Sequence, residues 1–70
     1  MTINRLWMLP DGTICLLVER EQAPCFEISV MKGEMVVRQD RLYARATAEM
    51  IAETWRTRLA PSPAPVHARL

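Results

Sequence analysis

The chain has 70 residues, of which half are hydrophobic and 24% are charged, and its formal net charge is +1. This length allows a single domain and excludes a two-domain enzyme. A chain of this size buries only roughly 60% of the surface of its unfolded form, so its core must be thin. The near-neutral charge argues against strong non-specific binding to nucleic acid, which requires many Lys and Arg side chains.

Four strands are predicted in the first forty residues of the chain. Their expected ranges are 3–9, 13–20, 25–31 and 34–40. Asp11 and Gly12 form a pair that favours a type I′ hairpin turn, and another turn is expected at Lys32 and Gly33. Short turns between successive strands predict an antiparallel sheet in which neighbours in sequence are also neighbours in space.

After the fourth strand the hydrophobic period changes from two to about 3.6, which predicts a helix over about residues 45–59. Its apolar stripe consists of Ala48, Ile51, Ala52, Trp55 and Leu59. The Pro-rich segment 61–70 is expected to be a flexible tail. The expected fold is therefore α+β, a four-stranded antiparallel β-meander with one C-terminal helix packed on one face, in a single domain of residues 1–60.

The two faces of the sheet are assigned from the third strand, whose apolar and polar side chains alternate. The helix side is expected to hold Trp7, Leu9, Ile14, Leu16, Val18, Phe26, Ile28, Val30 and Val37. The opposite side is expected to hold Leu6, Met8, Cys15, Leu17, Met31 and Val36. One helix cannot cover both sides, and a contiguous exposed apolar patch is typical of an interface. These last six residues are the predicted partner-binding site, unless the Pro-rich tail covers them or the first strand has another register.

The two cysteines, Cys15 and Cys25, are expected to be free thiols. In any hairpin of the second and third strands, Cys15 lies opposite residues 29–31, which is roughly 13–20 Å from Cys25 at about 3.3 Å per residue. That separation is too large for a disulfide. Two thiols without nearby His or Cys partners make a poor zinc site, so no metal or cofactor is predicted.

Catalysis is not predicted either. The single histidine, His67, lies in the Pro-rich segment, where no scaffold would hold it. The sequence shows no acid pair, no Ser–His pair and no Gly-rich phosphate loop. A chain this small can hardly enclose the rigid pocket that acid–base catalysis needs, so we expect a protein that is not an enzyme.

The expected location is the cytoplasm, without membrane association. The longest purely apolar run, Ile14 to Val18, is far shorter than the roughly 20 residues that a membrane helix requires. The first residues show no secretion-signal pattern, because their apolar stretch is broken at once by Pro10.

The stretch 26–37, followed by Leu42 and an Ala-rich helix, resembles the ending of many small uncharacterised bacterial proteins. The resemblance covers residues 26–58 and implies a sheet-plus-helix fold in a bacterial protein, but no activity. Leu42 stands where an aromatic residue is usual, and Ala44 where a Ser or Thr cap is usual. In topology alone, the chain is also similar to Whirly-like single-stranded-DNA-binding domains and to small phage inhibitors of CRISPR complexes.

Two functions of different classes follow from these observations. The favoured one is an interaction protein that associates through the back of its sheet, most simply as a homodimer that pairs faces or joins edge strands. The alternative is an accessory or inhibitory protein of a nucleic-acid-handling complex, including the phage type directed against CRISPR. It would bind phosphate through Arg38, Arg41 and Arg45. Tyr43 is the one aromatic residue left for base stacking, which favours the first function.

Overall fold

A computed structural model describes residues 1–60 of the chain. These residues form β1 (Thr2–Met8), β2 (Ile14–Glu19), β3 (Phe26–Lys32), β4 (Met35–Leu42) and α1 (Arg45–Leu59). The strands make one antiparallel sheet in the order β1-β2-β3-β4, and α1 contacts the sheet. The predicted meander with a C-terminal helix is confirmed. The predicted tail, residues 61–70, lies outside the described residues. No helix in the described part of the chain has the length and apolarity that a membrane span requires.

The turn between β1 and β2 differs from the predicted type I′ geometry. That geometry needs positive φ at both central residues, but Gly12 has a φ of 92° and Asp11 has a negative φ. Pro10 precedes them with its fixed negative φ, and the Gly12 amide donates to the Leu9 carbonyl at 3.0 Å. The backbone N–H of Thr13 donates to Asp11 at 2.9 Å and holds the pKa of that carboxyl below its ordinary value. The result is a three-residue loop rather than a two-residue turn.

Helix α1 approaches the sheet through small side chains. Ala48 and Ala52 are its buried residues, and the larger side chains of the predicted stripe are partly buried beside them. Because alanine keeps the helix backbone near the sheet, the indole N–H of Trp7 in β1 reaches the carbonyl oxygen of Ala52 at 2.9 Å. This bond joins the first strand to the middle of the helix across 45 positions of the chain.

The ends of α1 follow the sequence prediction. Ala44 is the N-cap residue and makes no side-chain hydrogen bond to the helix. The last turn carries Arg56 and Arg58, whose charges suit the negative end of the helix dipole. The helix therefore depends on its packing against the sheet more than on its caps.

The face of the sheet that carries α1, called here the inner face, is centred on pairs between β2 and β3. Cys15 lies opposite Val30, and Leu17 lies opposite Ile28. All four side chains are at most 1% exposed. Cys15 and Leu17 were predicted on the opposite side, and this assignment is wrong. Leu6, also predicted there, packs against the same core.

The prediction failed in β2 because every residue from 14 to 18 is apolar, so the sequence contains no alternation that sets the phase of the strand. Residues directly opposite each other in an antiparallel pair share a face, and successive residues alternate between faces. The pairing of Leu17 with Ile28 therefore turns Ile14, Leu16 and Val18 away from the helix. Their predicted place on the helix side is wrong as well.

Each of the two edge strands, β1 and β4, contains a β-bulge. The β1–β2 register shifts between Arg5 and Trp7, so Leu6 is an extra residue that packs on the core. The β3–β4 register shifts near the turn that joins these two strands, and this shift leaves Val37 without a partner in the ladder. Val37 was predicted to face the helix, but it is 44% exposed at the bulge. Neither bulge leaves a signal in the hydrophobic pattern.

Cys15 should resist thiol reagents in the folded protein, whereas Cys25 should react. Cys15 is fully buried, and this burial raises the pKa of its thiol to about 11, so the reactive thiolate is scarce. Cys25 is partly exposed. Mass spectrometry after iodoacetamide treatment at mildly alkaline pH, with and without urea, measures the two sites separately. Modification of Cys15 before unfolding would contradict its place on the inner face.

The substitutions Leu17→Lys and Leu16→Lys should have very different effects on folding. An unpaired charge at the 1% exposed position of Leu17 should lower the free energy of unfolding by about 3–5 kcal/mol, which a core this small cannot withstand. Lysine in place of the partly exposed Leu16 can extend its amine to water, so that variant should fold. Circular dichroism during urea titration compares them. Equal losses of stability would show that the faces of β2 are wrongly assigned.

Candidate interaction face

The face of the sheet opposite α1, called here the outer face, carries three rows of side chains that cross all four strands. The first row, called the apolar row, consists of Met8, Ile14, Met31 and Val36. The second row consists of Arg5, Leu16, Ser29 and Gln39. The third row consists of Ile3, Val18, Glu27 and Arg41. The face is therefore apolar along the first row and along β1 and β2 apart from Arg5, and we call this area the apolar half. It is polar where the other two rows cross β3 and β4, and we call this area the polar half.

The apolar half is an unusual surface for an antiparallel sheet. Such a sheet normally presents polar side chains on the face that its helix does not cover. Here Met8 is 57% exposed at one end of the apolar row and Val36 is 49% exposed at the other. The partly exposed Leu16 extends the apolar surface along the central strand β2, and Ile3 extends it along β1 with 55% exposure. Val18, which pairs with Ile3, is itself buried at 8% exposure.

The structure divides the six predicted partner-binding residues between the two faces. Met8, Met31 and Val36 lie on the outer face, within the apolar row. Leu6, Cys15 and Leu17 belong to the inner face and its core. The prediction missed four apolar residues of the outer face, namely Ile3, Ile14, Leu16 and Val18. Ile14, Leu16 and Val18 could have been assigned to the outer face if the β2–β3 register had been known. The sequence of the loop, residues 20–25, does not specify that register.

The polar half of the outer face is organised around the carboxylate of Glu27, which is only 8% exposed. Its Oε2 accepts hydrogen bonds from Gln39 Nε2 at 2.7 Å and from Ser29 Oγ at 3.3 Å. Its Oε1 lies 3.1 Å from Nη2 of Arg20 and 3.9 Å from Nε of Arg41. We name these five residues the polar corner. Because both carboxylate oxygens have partners, the buried charge is compensated.

The three arginines predicted to bind phosphate do not share one surface. Arg38 lies on the inner face, with its guanidinium carbon 5.8 Å from the centroid of the Trp55 ring. Arg41 lies on the outer face, in the polar corner. Arg45 begins α1 and pairs with Glu49 at 2.9 Å. Strand residues three positions apart point to opposite faces, which is why closeness in sequence did not produce a patch.

Neither a metal cluster nor a similar known protein points to another site. Among residues 1–60, no group of three or more His, Cys, Asp or Glu side chains is placed to hold a metal ion. Comparisons with protein-family models, with curated proteins and with solved structures find no match to the chain. The function is therefore argued from the geometry of the outer face.

Glu27→Ala should lower the free energy of unfolding by about 1–3 kcal/mol, because Ser29 and Gln39 would lose their shared acceptor. The matched control is Glu34→Ala, since Glu34 is exposed in the turn between β3 and β4 and should change stability by no more than about 0.5 kcal/mol. Urea denaturation followed by tryptophan fluorescence gives both values. A loss no larger than that of the control would show that the polar corner does not stabilise the fold.

Proposed function

We propose that this chain is a non-enzymatic protein-interaction module that associates through the outer face of its sheet, most simply as a homodimer. The apolar row carries the proposal, because four apolar side chains in register cross the whole width of the sheet. Contiguous apolar surface of this kind marks interaction sites in soluble proteins. Two of the four are methionines, whose flexible side chains adapt well to an opposing surface.

A second copy of the chain is the partner that this geometry fits best. A two-fold axis that runs along the apolar row sets the row against itself, so that apolar side chains meet apolar side chains. The polar corner then lies towards the edge of the contact, where water reaches it. A hydrophobic centre with a polar rim is the usual anatomy of an interface. Association also stabilises a domain whose own core is thin.

Pairing of faces is favoured over joining of edge strands. The free edges of the sheet belong to β1 and β4, and each strand contains a bulge, at Leu6 and at Val37 respectively. A bulge twists an edge and interrupts the ladder of backbone groups that a new strand would need. Strand β4 also carries three charged residues within four positions, Arg38, Asp40 and Arg41, and such charges on an edge strand discourage the addition of another strand.

Met8→Lys should weaken self-association about tenfold or more, because it places a charge within the apolar row that forms the proposed contact. Met8 is already 57% exposed, so the monomer should remain folded. Met50→Lys is the matched control, since Met50 is 64% exposed on the helix, away from the outer face. Sedimentation equilibrium at micromolar concentration should give twice 8.0 kDa for the wild type and for Met50→Lys, and a lower average mass for Met8→Lys.

Two results would contradict the proposal. A wild-type protein that sediments as a monomer at these concentrations has no dimer for the outer face to form. A Met8→Lys variant that remains as dimeric as the Met50→Lys control would show that the contact lies elsewhere on the molecule.

A further inference from the structure

A surface hollow of about 420 Å³ lies beside the polar corner, at the end of the sheet where β2 leads into the loop before β3. It is lined by Met1, Arg20, Glu21, Gln22 and Arg41. Two of its five lining side chains are therefore guanidinium groups, and they come from parts of the chain twenty-one positions apart. The hollow is separate from the apolar row, so a ligand held there would occupy a different part of the molecule.

The two arginines of the hollow are held by groups beneath them. Nη2 of Arg20 lies 3.1 Å from Oε1 of Glu27. Nε of Arg41 lies 3.9 Å from the same oxygen, and its Nη2 donates to the carbonyl of Pro24 at 3.1 Å. Both side chains nevertheless remain more than two-fifths exposed. They are thus restrained on one side and open to solvent on the other.

The carboxylate that restrains the arginines is itself fixed. Glu27 is 8% exposed, and its second oxygen accepts bonds from Gln39 and Ser29, while Gln39 also donates to Ser29 at 3.2 Å. A buried carboxylate with these partners positions the two guanidinium groups before any ligand arrives. Preorganised donors lose less conformational freedom when a ligand binds, which increases affinity.

We propose that this hollow binds a small oxyanion, either a phosphate group or a carboxylate, between Arg20 and Arg41. A guanidinium has five N–H donors and no acceptor, and the contacts described above use only some of them. The remaining donors form a planar fork that matches the oxygens of a phosphate or a carboxylate. Glu21 also lines the hollow, and together with Glu27 it offsets the charge of the two guanidinium groups, so the site suits one small anion rather than a long polyanion.

Nuclear magnetic resonance of the arginine Nε–Hε groups tests the proposal directly. Titration of the wild-type protein with inorganic phosphate should give saturable shifts at Arg20 and Arg41. Arg41→Gln should weaken the binding about tenfold or more, since a charge-assisted hydrogen bond is lost. Arg45→Gln removes the same charge from a side chain outside the hollow and should leave the affinity unchanged. If Arg41→Gln does not fold, Arg20→Gln replaces it.

A parallel titration with acetate distinguishes the two oxyanions. Tighter binding of phosphate would assign the site to phosphoryl groups, and equal or tighter binding of acetate would assign it to carboxylates. The proposal is overturned if neither anion gives saturable shifts, or if Arg45→Gln weakens binding as much as Arg41→Gln does. Neither result depends on the oligomeric state, so the site and the proposed dimer stand or fail separately.

Discussion

The pairing of Leu17 with Ile28 across β2 and β3 determines how the rest of the molecule is arranged. A shift of this register by one residue would exchange the two faces of β2, since side chains alternate with a period of two. In the observed register, Cys15 and Leu17 complete a core beneath α1, and Leu16 and Val18 point to the other side. The buried core and the apolar outer surface are two consequences of this one pairing.

The strands and the helix could be predicted because each has a local pattern in the sequence. Which side of the sheet each side chain occupies could not be predicted in the same way, because it depends on contacts between residues far apart in the chain. Strand β3 alternates cleanly, so the inner positions of Ile28 and Val30 were predicted correctly. Strand β2 is apolar at five successive positions, and its phase depends on a long-range contact. The polar corner was also missed, because Arg20 and Arg41 meet Glu27 from two different strand ends.

The polar corner makes the outer face suitable for association. When a partner covers a surface, any charge beneath it that lacks a partner becomes costly. Glu27 already has both oxygens occupied by groups of its own chain, with Gln39 and Ser29 on one and Arg20 on the other. A second molecule could cover the neighbouring apolar row without supplying a partner for this carboxylate. The same arrangement leaves the outward N–H groups of the arginines free for a small anion.

The way α1 packs on the inner face explains why further apolar side chains of β2 lie on the outer face. The small side chains of Ala48 and Ala52 bring α1 close to the sheet. Leu17 and Ile28 are therefore buried beneath the helix, although the helix side chains at the centre of the contact are small. At the edge of this contact, the guanidinium of Arg38 lies over Trp55 and covers part of an aromatic ring. Ile14 and Leu16 of β2 point away from the helix and are only partly buried, so the proposed association is what would remove them fully from water.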